Sequence, residues 1–433
     1  MQAMEELENL AKKLDEIDDK FKTEDRSDPS WNIRVQKKDL IEKTSRFNTY
    51  SSLVKDNVDK FSIYPHQRDA LKKLQSWYNN EETRIGLVVI PTGGGKSGIA
   101  ALAPYILNTT RVLVITPSVQ ITNQLAEAFG KRPKESFYVT RKVVTEEAAN
   151  KFVEPLRVIQ QVKEIEDHAE NLVIVNAQKF GTNSKVDWDK LNPKSFNLLI
   201  VDEAHHFPAP TWDKIVSYFN CRTIFLTATP YRNGEPILPG QICYQITPNE
   251  LMNNGIIRRT IFQQIGNDQD SGPERRTLLS AEILKILDEH DRQDPSVKHQ
   301  AMVLTKDKEE AKQFTKQLKL TAKQDIAESY TGDTKSPDSI LQKFENTQIR
   351  VLVVCGKLLE GYDRKQISVC AIVRRVAPKS KVLFTQFVGR CLRKVRPDDP
   401  VDGRILSHVY YQQQKNYNNL NEVAEDDPDD NDE

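Results

Sequence analysis

The chain has 433 residues, enough for two or three compact domains of roughly 100 to 200 residues each. Lys plus Arg and Asp plus Glu both total 62, and the five cysteines are widely spaced with no Cys-x-x-Cys pair, which excludes a disulfide framework or a cysteine zinc site. No apolar run approaches the roughly 20 residues that span a bilayer, and no N-terminal apolar region marks a secretory signal, so an intracellular chain of cytoplasm or nucleus is expected.

The charge balance hides an asymmetry. The last twelve residues, Glu422 to Glu433, hold eight acids and no base, leaving eight more bases than acids in the rest. A basic body with an acidic tail suits a protein that meets phosphate backbones, and a disordered solvated tail has the same composition.

In chain order, Leu7, Leu10, Leu14, Ile17 and Phe21 recur at spacings of three and four, which predicts an amphipathic helix. It packs on the chain's own body or on a partner helix. Residues 22–50 are polar and read as a linker. From residue 51, β-branched runs alternate with helix-like stretches: Ile85 to Ile90, Val112 to Thr116, Leu172 to Val175, Leu198 to Asp202 and Thr223 to Thr227. A second series follows at Ala301 to Thr305, Ile349 to Cys355, Ile367 to Val373 and Arg404 to Tyr410. Alternation of this kind predicts parallel sheets covered by helices in two α/β domains.

Pro91-Thr92-Gly93-Gly94-Gly95-Lys96-Ser97 follows an apolar run and precedes a helix-like stretch, the context of a phosphate-binding loop. Glycines let backbone amides face phosphate oxygens at a helix N-terminus. Lys96 would neutralise the β and γ phosphates of ATP, and Ser97 would enter the Mg2+ shell. The first glycine of the strict pattern is replaced by Ile90.

Asp202-Glu203-Ala204-His205 closes another apolar run, so its carboxylates fall at a strand's carboxyl end. Asp202 would hold Mg2+ and Glu203 would deprotonate the attacking water. His205 and His206 invite a metal reading, which adjacent side chains pointing apart and the lack of a third ligand at helical spacing argue against. In Gln386-Phe387-Val388-Gly389-Arg390-Cys391-Leu392-Arg393, the arginines at spacing three would share one helix face.

This combination resembles a superfamily 2 helicase of the DEAH-box type, with the likeness spanning Phe61 to Arg396. The resemblance implies two tandem RecA-like domains after an N-terminal helical extension: extension and linker 1–50, ATP-binding domain 51–246, connector 247–280, second domain 281–418 and disordered acidic tail 419–433. It implies that Gln67, in Tyr64-Pro65-His66-Gln67, reads the adenine edge through both donor and acceptor, and that Thr116, Asn176 and Gln178 contact a nucleic-acid backbone. His205, Thr227 and Thr229 would couple hydrolysis to movement. Gly361 and Asp363 would contact the nucleotide, Cys355 departs from the family pattern, and Gln386, Arg390 and Arg393 would act on the transferring phosphoryl group.

The long form Leu226 to Arg232 is similar to restriction-enzyme motor subunits and DNA-repair translocases. The implied activity is ATP-driven translocation along nucleic acid, DNA favoured, with strand separation. The alternative is an ATP-dependent sensor or remodelling switch, including an RNA-directed one. Both leave room for a protein partner supplying a nuclease or targeting function. The pairs Arg258–Arg259, Arg374–Arg375 and Lys379–Lys381 are either solvated surface or supplementary grips. Tyr231 and Phe207 are either stacking platforms or core.

Overall fold

The computed structural model describes residues 47–48, 51–55, 63–80, 83–130, 132–152, 156–165, 171–181, 186–207, 210–232, 235–236, 238–356, 362–377 and 381–420. The expected N-terminal helix, most of the linker, and the tail beyond Leu420 lie outside them. The chain divides into two compact units. The first takes in the described parts of Met1–Val89, Gly95–Thr227 and Leu238–Gln245; the second takes in those of Ile90–Gly94, Ala228–Ile237 and Ile246–Glu433.

The first unit carries β1 (Ile85–Val89), β2 (Val112–Thr116), β3 (Leu156–Val158), β4 (Leu172–Asn176), β5 (Leu198–Asp202) and β6 (Arg222–Thr227). After a short antiparallel pair, β7 (Tyr231–Arg232) and β8 (Glu235–Pro236), comes β9 (Gln241–Gln245). The sheet order is β3-β4-β2-β5-β6-β1-β9, and every pairing in it is parallel. β2, β4 and β5 are buried at every residue, as a sheet covered on both faces requires.

The second unit carries β10 (Thr260–Ile265), β11 (Gln300–Thr305), β12 (Ala327–Tyr330), β13 (Val351–Val354), β14 (Ile367–Val373) and β15 (Gly403–His408). Its order is β10-β15-β14-β11-β13-β12, again wholly parallel. Leu279, Ile283, Ile286 and Leu287 recur at helical spacing on the helix Gly272–Gln293, forming one core with Phe314, Val303, Val353 and Val369. Truncating one of these to Ala would cost about 2–5 kcal/mol. That helix starts from a capping box: Ser271 N donates to Glu274 Oε2 at 2.7 Å, and Glu274 N donates to Ser271 Oγ at 3.4 Å.

Both units are parallel-sheet α/β folds, as the sequence predicts. Besides the short pair β7 and β8, the strands it did not announce are β3, β9, β10 and β12, the four edges of the two large sheets. β9, β10 and β12 are only partly buried, so their residues are mixed rather than continuously apolar. One consequence corrects the expected organisation: the stretch 247–280 is no connector. It holds the helix Pro248–Asn253, edge strand β10 and the start of the helix Gly272–Gln293, all within the second unit.

Candidate functional site

β1 ends in the buried residues Val89 and Ile90 and runs into the glycine loop. Gly93 (φ 87°) and Gly95 (φ 89°) lie in the left-handed region that only glycine adopts at little cost, and Gly94 N donates to Pro91 O at 3.0 Å. Lys96 opens the helix Lys96–Ile106, so the loop ends at a helix N-terminus. Pro91, Thr92 and Lys96 are buried, and Ser97 is exposed.

Gln67 makes two contacts within the fold. Its Nε2 donates to Gly95 O at 2.8 Å and its Oε1 accepts from Tyr64 N at 3.0 Å. The amide thus ties the loop to the start of the helix Pro65–Asn79. A Cβ at Gly95 would fall 2.5 Å from Gln67 Nε2 and displace that amide, and φ 89° is what requires glycine there.

At the carboxyl end of β5, Asp202 is buried and Glu203 adopts φ 50°, a left-handed conformation costing a non-glycine residue on the order of 1–3 kcal/mol. Lys96 Nζ stands 3.8 Å from Glu203 Oε1, which brings the loop cation to the strand-end carboxylate. Burial pushes the Asp202 carboxyl up to about 7, the neighbouring Glu203 charge pushes the same way, and Lys96 opposes both. Asp202 Oδ1 is buried without a hydrogen-bond partner among the described residues. His205 Nδ1 lies 3.6 Å from Glu203 Oε2, and Thr227 is buried at the end of β6. His205 and His206 do not point apart: both fall in the one-turn 3-10 helix Ala204–His206, with ring centroids 4.3 Å apart. No group of three or more metal-ligating side chains forms among the described residues.

In the second unit, Gln386 is buried on the helix Lys381–Val388. The arginines do not share a face of that helix, because it stops before them. Gly389 N still bonds Thr385 O at 2.9 Å, but Arg390 N and Cys391 N bond Phe387 O and Val388 O at 3.1 Å, tightening the chain into a turn. Arg390 is buried there and donates Nη1 to Tyr362 O at 2.7 Å. Arg393 forms an isolated antiparallel bridge with Ile257 and pairs with Asp363. A Cβ on Gly389 would lie 2.8 Å from Thr92 Cβ, and one on Gly93 would lie 3.3 Å from Arg393 Cγ. Within this unit, therefore, the first half of the glycine loop lies against the arginine turn. Thr229 is buried in the same unit, and Gly361 lies outside the described residues.

Arg258 is the residue that sequence reasoning misjudged. It is neither solvated surface nor a grip, for its side chain is fully buried against Asp399. Its guanidinium donates to Ile367 O (2.7 Å), Lys365 O (3.1 Å) and Cys391 O (3.3 Å), while Arg258 N donates to Leu392 O at 2.7 Å. One cation thus joins the arginine turn to the chain leading into β14. Nothing local distinguishes Arg258 from exposed Arg259 except its place after the apolar pair Ile256–Ile257.

Two of the three expected backbone contacts are structural. Thr116 Oγ1 is buried, 2.6 Å from Thr122 Oγ1, linking β2 to the helix Val119–Ala128. Asn176 is buried, and its Oδ1 accepts from Gln178 N at 2.8 Å to cap a short turn. Their polar atoms are spent inside the fold, so only Gln178 presents its side chain to solvent. Phe207 is buried with its ring 4.8 Å from Phe225, which makes it core. The side chains of Tyr231 and Lys381, and all of Lys379, lie outside the described residues. No described helix is long and apolar enough to cross a membrane.

Known proteins resemble this chain in sequence or fold. A family model described as type III restriction enzyme, res subunit, matches residues 60–232. IRC3 of Saccharomyces cerevisiae, described as an ATP-dependent helicase, is 25% identical over 392 residues, covering 81% of this chain and 53% of IRC3. The chain thus spans about half the length of that relative. The DNA 3'-5' translocase XPB2 of Sulfurisphaera tokodaii is 23% identical over 390 residues, covering 78% of this chain and 80% of XPB2. Mycobacterium smegmatis helicase Lhr, solved with ssDNA and AMP-PNP, superposes with a TM-score of 0.53 at 15% identity, covering 84% of this chain and 47% of Lhr, and so shares the fold. Motifs and relatives thus liken the chain to ATP-dependent helicases and DNA translocases, and the paired parallel sheets to the fold of solved helicases. Within that class the likeness is to the branch of restriction-enzyme motors and XPB translocases.

Proposed function

We propose that the chain is a nucleic-acid-dependent ATPase that uses hydrolysis to translocate along DNA and separate its strands, leaving any nuclease or targeting role to a protein partner. The observation that carries this reading is the 3.8 Å approach of Lys96 Nζ to Glu203 Oε1, which joins the phosphate-loop cation to a candidate general base. DNA is favoured over RNA because XPB2 is a DNA translocase and the chain carries the long Leu226 to Arg232 segment.

ATP would lie with its phosphates on the loop amides and Lys96. Ser97 and Asp202 fit a hard divalent cation, since Asp202 Oδ1 is buried without a hydrogen-bond partner among the described residues. Mg2+ held there would neutralise triphosphate charge. Glu203 would take the proton of the attacking water, with Lys96 beside it as counter-charge. Arg390 and Arg393 are assigned to the charge developing on the transferring phosphoryl group, an effect worth about 10^3 to 10^5 in rate in favourable cases. Cycles of ATP binding and hydrolysis would alternate the units' grips on the strand.

ATP turnover measured with single- and double-stranded DNA and RNA tests the reading. Stimulation by DNA, with displacement of a labelled strand, is expected. Arg393→Ala should suppress turnover while a fluorescent nucleotide still binds, and unchanged turnover defeats its assignment.

A further inference from the structure

The carboxyl ends of β14 and β15 carry a cationic group that the nucleotide site does not use. Arg375 Cζ lies 5.0 Å from the centroid of the Tyr410 ring and Arg275 Cζ lies 3.8 Å from it, so one phenol ring holds two guanidinium groups. Arg374 is the chain neighbour, and its Nε donates to Arg375 O at 3.4 Å. Arg375 Nε donates to Tyr410 O at 3.4 Å, and Arg275 also bonds Asp270 O. Gln413 Nε2 donates to Arg374 O at 3.2 Å and so pins the strand end.

No carboxylate pairs with Arg275, Arg374 or Arg375 among the described residues. Asp270 Oδ2 is engaged with His408 Nε2 at 2.9 Å, and Glu310 with Arg276 at 3.4 Å. The terminal nitrogens of Arg374 and Arg375 keep their donors, while backbone and ring contacts fix their positions. A cluster of oriented guanidinium donors without counter-charge is suited to phosphate oxygens, which accept such forks in pairs.

Its place in the fold sets it apart from the arginine turn. Arg258 and Arg390 fasten the opposite, amino end of β14 through Ile367 O and Tyr362 O. The seven residues of β14 separate the two ends by ~23 Å at about 3.3 Å per residue. Carboxyl ends of parallel strands are where such sheets present ligand sites.

We propose that Arg374 and Arg375, supported by Arg275 on Tyr410, form a nucleic-acid phosphate site on the second unit, gripping the backbone without reading bases. The proposal rests on the nucleic-acid reading given above and names the surface that carries it. Each phosphate that the protein ceases to neutralise makes the slope of log affinity against log salt shallower by about 0.7 for a single strand.

The test is fluorescence anisotropy of the full chain with a labelled oligodeoxythymidine across a salt series, comparing wild type with Arg375→Ala, Arg375→Lys and the pair Arg374→Ala with Arg375→Ala. Lys298→Ala, which removes one charge from the far end of the sheet before β11, is the control. The double variant should bind more weakly, with a slope shallower by about 1.4 for its two phosphates. Arg375→Lys should keep the slope, the control should match wild type, and the Kd for a fluorescent ATP analogue without nucleic acid should be unaltered in all of them. If wild type binds DNA and the double variant matches it in affinity and slope, the site is overturned while the motor reading stands. If wild type binds no nucleic acid at any salt, both fall together. If the control weakens binding as much as Arg375→Ala, which also removes one charge, the effect is overall charge and the site is also overturned. Arg375 is exposed, so its replacement leaves the core intact, and an unchanged circular dichroism melt checks this.

Discussion

Arg258 Nη2 lies 2.8 Å from Asp399 Oδ2, with both side chains wholly excluded from solvent. Asp399 Oδ2 also accepts from Val395 N at 2.9 Å and Oδ1 from Val401 N at 3.0 Å, so both buried charges are hydrogen-bonded several times over. The pair holds the turn bearing Arg390 and Arg393. Removing one partner from such a pair costs about 3–5 kcal/mol, because the other is left charged and dry.

Arg258→Ala should therefore destabilise strongly, and Arg258→Lys should be the informative variant. Lysine keeps the charge but cannot span Ile367 O, Lys365 O and Asp399 together. We expect Arg258→Lys to bind nucleotide with near wild-type affinity and to show a lowered ATPase kcat, checked by steady-state kinetics beside a melt. A kcat equal to wild type would confine Arg258 to stability.

Glu203→Gln should separate binding from chemistry. Glutamine keeps the shape of the side chain and loses the base, so turnover should fall by about 10^2 to 10^4 with nucleotide binding preserved. Equilibrium binding and single-turnover hydrolysis on the same preparation decide it.

Gly95→Ala should abolish nucleotide binding without unfolding the first unit. The new Cβ meets Gln67 Nε2 at 2.5 Å, and φ 89° is strained for alanine. Isothermal titration with ATP would read the loss, and a wild-type Kd would show that the loop tolerates rearrangement.

Thr116→Ala and Gln178→Ala should part company. Loss of the buried Thr116–Thr122 hydrogen bond should lower stability by about 1–3 kcal/mol and leave the salt slope of DNA binding alone. Exposed Gln178 should do the reverse, weakening DNA binding with no change in the melt.

Acid should loosen the second unit through His290. Burial, chiefly, and then the charge of His299 push its pKa down to about 3, and Nδ1 lies 2.8 Å from Ser368 Oγ. The folded form thus stays neutral where the unfolded imidazole, near 6.5, takes a proton. This contribution is complete above about pH 6.5 and declines as pH falls toward 3, by up to ~1.4 kcal/mol per pH unit. The melting temperature should drop between pH 7.5 and 5.5, and the drop should shrink in His290→Asn.

Much of this was open to a reader of the sequence. The glycine loop, the Asp202–Glu203 strand end and the nine strands announced in advance are local: a buried parallel strand must be a continuous apolar run, and phosphate-binding backbone must have glycine where φ is positive. Those constraints act on neighbours in the chain and are written in their order. The edge strands, the turn that takes Arg390 and Arg393 off the helix, the inward commitment of Thr116, Asn176 and Gln67, and the burial of Arg258 beside its exposed neighbour were decided by tertiary structure. Each depends on whether a polar group meets water or a distant partner, Asp399 for Arg258 and Thr122 for Thr116. Residue type and spacing say what a side chain can bond; only packing says what stands within reach of it.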